Sequence, residues 1–409
     1  MKRVVITGRG VVSPFGSKLT SLMDGLEKSK SGVLRMPGWE EYKGLNSLVG
    51  APAELKGENA FPRKIRRSMG RLSIFAALAA KQAAEESKIE EGLLKSRRLG
   101  CIMGSTMGSA EAMNEAFEIM LPNHDLSQLS SMGFFKCVSH TAAMNVAQAL
   151  GVRGYVMAPS AACASSLQAL GLGYELIRSG RQDVLLCGGA EELHPIVTGI
   201  FEILFATSTH FNDNAWLTPR PFDARRDGLV CGEGAGVLVL EDYEHARQRG
   251  ADIYGEIAGY STCASGTHLS ESSREGMRAC MDNAIQDSGL KPEQVDYISA
   301  HATATIQGDQ AEAEAIRDIF GDRVPVSGMK GYIGHTLGAS GAIELAASLE
   351  MMSRGIIYPT LNLEDVDASC SGIAHVQTPL EKEIKVVVKN SFAFGGINTV
   401  LVCKKLDAY

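Results

Sequence analysis

The chain has 409 residues, more than one ordinary domain, and its 45% hydrophobic content supplies a large core and excludes a disordered chain. Its 40 Lys and Arg stand against 47 Asp and Glu, a formal charge of −7 that gives no general attraction to nucleic acid or an anionic membrane. No apolar run approaches a membrane span, the first six residues run straight into a strand rather than a signal peptide, and the nine cysteines are scattered with no C-x-x-C pair; the expectation is a cytoplasmic globular protein with reduced thiols and no zinc framework.

Residues 3–7 read as a short buried strand, followed by Gly8-Arg9-Gly10-Val11-Val12-Ser13-Pro14. The two glycines look like part of a dinucleotide fingerprint, but Ser13 occupies the third-glycine position and Pro14 follows at once, so nucleotide binding is not expected. Residues 61–67 form the densest basic cluster of an acidic chain. Such runs are usually solvated faces, yet one positive patch can receive an acidic partner. Residues 73–86 read as an alanine-rich helix, and residues 100–105 as a strand ending in small residues, with Met107-Gly108-Ser109 continuing the turn.

The run Tyr155-Val156-Met157 is β-rich, and Ala158-Pro159-Ser160-Ala161-Ala162-Cys163-Ala164-Ser165-Ser166 follows it. Leu167, Leu170, Tyr174 and Ile177 then recur at the spacing of one helix face, and Arg178 and Gly180 mark the end of that helix. Cys163 therefore stands at a strand-to-helix corner among small residues that leave the backbone open to a substrate. A helix N-terminus aimed at the sulfur favours thiolate over thiol. Most free cysteines are small buried hydrophobes; the corner and the two histidines below set this one apart.

Residues 183–191 form an apolar strand running into glycines, and Gly232-Glu233-Gly234-Ala235-Gly236 leads into a strand over 237–240. Strands that end in glycine and feed helices are the pattern of an α/β sheet buried on both faces. Residues 241–250 are polar, so the boundary between halves is placed there, giving 1–250 and 251–409. The second half repeats the theme. Residues 256–259 open it, 295–299 lead to His301, 324–327 lead to Lys330, and a helix over 342–354 closes at Gly355 as the Cys163 helix closes at Gly180. Strand, reactive residue and helix recur in both halves, which points to an internal duplication.

His301-Ala302-Thr303-Ala304-Thr305 and Gly334-His335-Thr336-Leu337-Gly338 each put a histidine among small residues after a strand, whereas His124, His194, His210 and His245 read as structural or solvated. A nucleophilic cysteine with two histidine donors suits chemistry that forms a thioester and then stabilises negative charge on a second thioester's oxygen. Zinc binding by Cys163, His301 and His335 is the rival, disfavoured because no two of them form a closely spaced pair.

Taken together, the segments resemble the elongating β-ketoacyl-acyl carrier protein synthases of the thiolase fold. The resemblance runs through ITGRGVVSPFG, SAACASS, CGGAEE, RPFDARRDG, EGAG, HATAT, MKGYIGHTLGASGA and NSFAFGGIN, and so covers essentially the whole chain. It implies an α/β, five-layered αβαβα sandwich of two duplicated halves, the first carrying the cysteine and the second the histidine pair. By position it implies Cys163 as the nucleophile that takes the growing acyl chain. His301 and His335 are implied as the pair supporting decarboxylation of malonyl-carrier protein, Lys330 as the lysine ordering the site and Glu344 as its charged partner. Thr303 and Thr305 match threonines that bind the phosphopantetheine arm, and Phe205 and Phe392 lie on the implied substrate path. The backbone N–H groups of Cys163 and Phe394 are the implied oxyanion hole, Phe392 and Phe394 belong to a gating loop, and Glu312 matches a structural acid. Arg63, Lys64 and Arg67 coincide with the patch that meets the acidic acyl carrier protein.

The resemblance implies no tightly bound cofactor and no metal, the substrates arriving on the phosphopantetheine of the carrier. The partner subunit would be a second copy, or a related cysteine-less subunit of the chain length factor type. Housekeeping members usually carry glycine, serine, glycine and threonine where this chain has Ala302, Ala304, Ala393 and Ile397, which reshapes the pocket and tilts the reading toward a specialised aryl polyene or type II polyketide branch. Met107, Phe201, Leu204 and Phe205 are expected near the acyl tunnel. A non-catalytic subunit that only sets chain length is the rival function, opposed by the joint presence of Cys163, His301, Lys330 and His335. A thiolase needs a second catalytic cysteine in a glycine-rich setting, and chain-initiating synthases carry asparagine where His335 stands.

Overall fold

Hydrogen bonds join eleven strands into one mixed sheet in the computed structural model, which describes residues 1–55 and 57–406. Across the sheet the order is Ala374–His375, Pro325–Ser327, Tyr297–Ser299, Val386–Ala393, Ile397–Lys404, Gly255–Ala264, Val4–Val12, Gly234–Asp242, Val184–Glu191, Leu99–Gly104 and Val156–Met157. Each half has a parallel core and an antiparallel flank. Leu99–Gly104 runs parallel to both its neighbours, and Tyr297–Ser299 does the same in the second half. The halves meet where Val4–Val12 pairs antiparallel with Gly255–Ala264, Val4 opposite Ile257.

Three hydrophobic clusters correspond to the three seams between sheet and helices. In the central seam, the helices Ser165–Arg178 and Ser340–Arg354 carry Leu167, Leu170, Tyr174, Ile343, Leu345 and Leu349 into contact with Leu185, Leu240, Tyr260 and Leu401 from both halves. On one outer face Arg71–Glu86 and Thr141–Leu150 cover the first half, and on the other Arg274–Ser288 and Ile306–Phe320 cover the second. Helices, one half of the sheet, the central helices, the other half of the sheet and helices again give five layers, the expected α/β sandwich. Ser340–Arg354 is buried on nearly every face, as a central helix must be.

The glycines at 8 and 10 lie inside the strand Val4–Val12 rather than in a turn after it. A Cβ at Gly8 would stand 2.1 Å from the Ala83 carbonyl oxygen, and one at Gly10 would stand 1.9 Å from that of Ala79. These glycines let the alanine-rich helix press directly on the strand, which accounts for their spacing without any phosphate. Among the described residues no helix is long and apolar enough to cross a membrane.

Candidate active site

The edge strand Val156–Met157 leads into a single 3-10 turn, Ala162–Ala164, and then into the helix Ser165–Arg178. Ala162 adopts φ +46°, a left-handed conformation that costs a non-glycine residue about 1–2 kcal/mol. Ser165 holds the turn: its Oγ accepts from the Ala161 N–H at 2.9 Å and donates to the Ala162 carbonyl at 2.7 Å. The strained corner sets Cys163 beside the histidine arriving from the second half.

His335 Nε2 lies 3.0 Å from Cys163 Sγ. On its other side Nδ1 accepts from the Leu337 N–H at 3.3 Å and stands 3.0 Å from Ser340 Oγ. An Nδ1 that accepts leaves the proton on Nε2, so the neutral ring presents an N–H to the sulfur. The His301 ring lies 5.2 Å from that of His335, at 81° to it. Its backbone N–H and that of Ala302 donate to the two Glu312 oxygens, each at 2.7 Å, and Asn390 Nδ2 donates to Glu312 at 3.0 Å. Glu191 ties the neighbouring segments together, accepting from the Thr106 and Gly338 N–H groups.

Lys330 is fully buried, 2.9 Å from Glu344 Oε1, donates to the His301 carbonyl, and stands 3.5 Å from His301 Nδ1. Burial holds both imidazoles well below the ordinary histidine range, and the neighbouring cations Lys330 and Lys389 reinforce the effect. Burial likewise pushes the Cys163 thiol up to about 12, while Lys330 and the backbone N–H of Cys163 pull the other way. Desolvation is the largest influence on the sulfur, ahead of both.

One pocket is lined by Cys163, His301, Thr303, Thr305, His335, Phe392 and Phe394, so the fold gathers most of the expected site from both halves. Thr303 and Thr305 have their hydroxyls 3.0 Å apart. Phe205 departs from expectation: it follows the helix Pro195–Ile203 at φ +55° with its side chain 96% exposed, outside this pocket. Leu204 and Met107 are also exposed. Phe201 of that helix turns inward together with Val197, both joining the apolar cluster around Cys163, and its ring lies 6.1 Å from Phe394. Arg63, Lys64 and Arg67 are exposed on and just after the short helix Arg63–Arg66, away from the pocket.

Donor atoms of Cys163, His301 and His335 lie within 4.8 Å of one another, a proximity that sequence spacing could not reveal. Lys330 and Lys389 around Glu344 give the adjoining buried cluster two cations and one anion, which opposes a dication in this place. Lys389 was not foreseen. Its signal was a lysine inside the apolar run 386–388, a position where a charge survives only if paired.

A five-layered sandwich with its thiol at the N-terminal end of a central helix defines the class: a thiolase-fold acyltransferase. The chain belongs to the β-ketoacyl synthase family, residues 1–246 matching its N-terminal domain and 254–364 its C-terminal domain. It is 35% identical over 408 residues to 3-oxoacyl-[acyl-carrier-protein] synthase 1 of Escherichia coli K12, covering 99% of this chain and 100% of that one. The crystal structure of a β-ketoacyl synthase from Burkholderia phymatum STM815 superposes with a TM-score of 0.95 at 41% identity, over 99% of this chain and 100% of that one. The ishigamide ketosynthase/chain length factor gives 0.92 at 29% identity, over 99% of each chain.

Proposed function

We propose that the protein lengthens an acyl chain by two carbons, condensing an acyl group held on Cys163 with malonyl-acyl carrier protein to give 3-oxoacyl-carrier protein and carbon dioxide. The observation that carries this reading is the meeting of Cys163 Sγ with a neutral His335 N–H at 3.0 Å, beside a second buried imidazole in one pocket. In the first step the Cys163 sulfur attacks the acyl thioester and the carrier's thiol leaves with the proton that Cys163 gives up. The backbone N–H groups of Cys163 and Phe394 serve the oxyanion; removing one such donor typically costs about 10²- to 10³-fold in rate. In the second step malonyl thioester loses carbon dioxide, and the imidazole N–H groups of His301 and His335 hold the enolate oxygen. The enolate carbon attacks the acyl-Cys163 carbonyl, the carbon–sulfur bond breaks, and the thiolate of Cys163 recovers a proton.

Thr303 and Thr305 serve the phosphopantetheine arm and Phe392 gates the pocket, roles supported by their place on its wall. Arg63, Lys64 and Arg67 receive the acidic carrier. The halves 1–250 and 251–409 act as two repeats, the first bringing the thiol and the second the histidines. The enzyme works in the cytoplasm, and its partner subunit pairs along the exposed edge strand Val156–Met157; Ile196, Ile200 and Ile203 form a further exposed apolar stripe. Specialised chain assembly is favoured over housekeeping synthesis by Ala302 and Ala393 on the pocket wall and by Ala304 and Ile397 in the same segments.

Intact-mass analysis of carrier protein tests the reading. Purified protein with malonyl-carrier protein and acyl-carrier protein is expected to yield a product two carbons longer, and Cys163→Ala is expected to fold yet lose all chain transfer. Elongation by Cys163→Ala would overturn the assignment of the nucleophile. Turnover of saturated chains by the protein alone marks a homodimeric fatty-acid enzyme. Turnover only of conjugated chains, or only with a cysteine-less sister subunit, marks polyene or polyketide assembly.

A further inference from the structure

Lys389 is fully buried on the strand Val386–Ala393, behind the histidine pair. Its Nζ stands 2.5 Å from Glu344 Oε2, an ion pair without the alignment of a straight hydrogen bond, while Glu344 Oε1 faces Lys330 at 2.9 Å. The same ammonium donates to the carbonyls of Asn390 at 2.7 Å, Ser299 at 3.3 Å and Ala300 at 3.4 Å. Ser299 and Ala300 immediately precede His301. Lys389 thus joins the carboxylate that holds Lys330 to the strand end from which His301 projects. Isolated burial of an ammonium is unfavourable, so its place here is held by the pairing with Glu344 and these carbonyls.

Resting on the condensing function proposed above, we propose that Lys389 is a positioning residue for the histidine pair: it fixes the backbone entering His301 and supplies the second cation that keeps both imidazoles neutral N–H donors. With Lys330, Lys389 and Glu344 ionised, two cations face one anion here; burial pulls the Lys389 ammonium below its ordinary range, and the Glu344 carboxylate beside it pulls the other way. The charged or titratable groups around the pair include Cys163 from its turn, Cys231 bridged to the His335 backbone, Glu191 from the strand Val184–Glu191, Glu271 on the pocket wall, Asp309 and Glu312 from Ile306–Phe320, Lys330, Glu344 from Ser340–Arg354, and Lys389. Glu191 accepts backbone N–H bonds near the His335 loop, Glu312 is engaged by the backbone entering Ala302, and Asp309 by Ala304. The cationic cluster is therefore the part of this shell that opposes protonation of the rings. Protonation would also break the contact in which His335 Nδ1 accepts from Leu337, and would set a second cation 3.5 Å from Lys330 at His301 Nδ1.

The test separates charge from bulk. Lys389→Met leaves Lys330 and Glu344 as a neutral pair, whereas Lys389→Met with Glu344→Gln restores the net charge while removing the tie. Histidine titration is followed by ¹⁵N NMR on the full chain, and the acid limb of carbon dioxide release from malonyl-carrier protein is measured in parallel. The single variant is expected to take up protons at the histidines at a proton concentration about threefold or more lower than wild type, with its acid limb moved to higher pH by the same factor. The double variant is expected to return toward the wild-type titration with its maximal rate still depressed. Lys389→Arg, which keeps the charge, supplies the comparison if a methionine variant does not fold, and is expected to keep the wild-type limb. A folded single variant with unmoved histidine titration overturns the proposal, as does a double variant displaced as far as the single. Wild-type protein that neither releases carbon dioxide nor elongates would instead overturn the condensing function, and the NMR titration still decides whether Lys389 sets the protonation of the pair.

Discussion

Ala302 and Ala304 sit on either side of Thr303 with φ of +43° and +67°, where an L residue with a Cβ is strained. Their N–H groups are held by Glu312 and Asp309, so carboxylates from the following helix impose the left-handed turns. Ala302→Gly therefore is expected to stabilise the fold by about 1 kcal/mol, because the strain relieved exceeds the extra chain entropy of glycine. Urea unfolding monitored by circular dichroism measures the change, and a loss of stability would show that Ala302 is held by packing rather than strained. Glu312→Ala is expected to act in the opposite sense. It strands the buried N–H groups of His301 and Ala302 and the Asn390 amide, at about 1–3 kcal/mol for each group left without an acceptor. The same unfolding curves report it. The alanine at 302 also explains its neighbour: a Cβ at Gly328 would stand 2.7 Å from that of Ala302, so the two positions have room for one methyl group between them.

Helices were the most legible elements. Leu167, Leu170, Tyr174 and Ile177 are all buried on Ser165–Arg178, and Ser340–Arg354 ends at Gly355 with φ +68°, because period and stop signal both lie in local sequence. Contacts that cross the chain were not legible in the same way. The glycines at 8 and 10 look like part of a dinucleotide fingerprint in the sequence, but what presses on them is the helix Arg71–Glu86, at Ala79 and Ala83, and only the fold shows it. The resemblance implies Phe205 on the substrate path, but the direction of a side chain after a helix end is set by the local backbone, here φ +55°. Lys389 meets Glu344 only because a strand and a central helix from distant segments face one another. The edge strand Val156–Met157 is a further case, in which sequence gives the strand and structure gives its exposure: these residues are 47% and 36% accessible, and among the described residues one backbone edge has no neighbour in the sheet. Such an edge is a template for another strand. On the subunit pairing proposed above, Val156→Lys with Met157→Lys is expected to leave only monomer at micromolar concentration in sedimentation velocity. An assembly that survives both charges would place the subunit contact elsewhere.

Across the whole molecule the formal charge is −7, yet Arg63, Lys64 and Arg67 are grouped on one exposed turn. A net acidic protein repels an acidic partner at long range; in the docking proposed above, this local patch directs the encounter over distances near the Debye length, about 8–10 Å in physiological salt. Surface charges contribute modestly one at a time, on the order of 0.2–1 kcal/mol each, and reversing a charge replaces attraction with repulsion. Reversal of all three to glutamate is therefore expected to raise KM for acyl-carrier protein by roughly tenfold or more, with the difference shrinking as salt is added. The pocket is built from other segments, so kcat with a small acyl-pantetheine thioester should remain near the wild-type value, and that comparison distinguishes lost docking from a damaged site. Equal losses with both substrates would locate the effect in the fold. Unchanged KM for the carrier-bound substrate would move the docking surface away from residues 63–67.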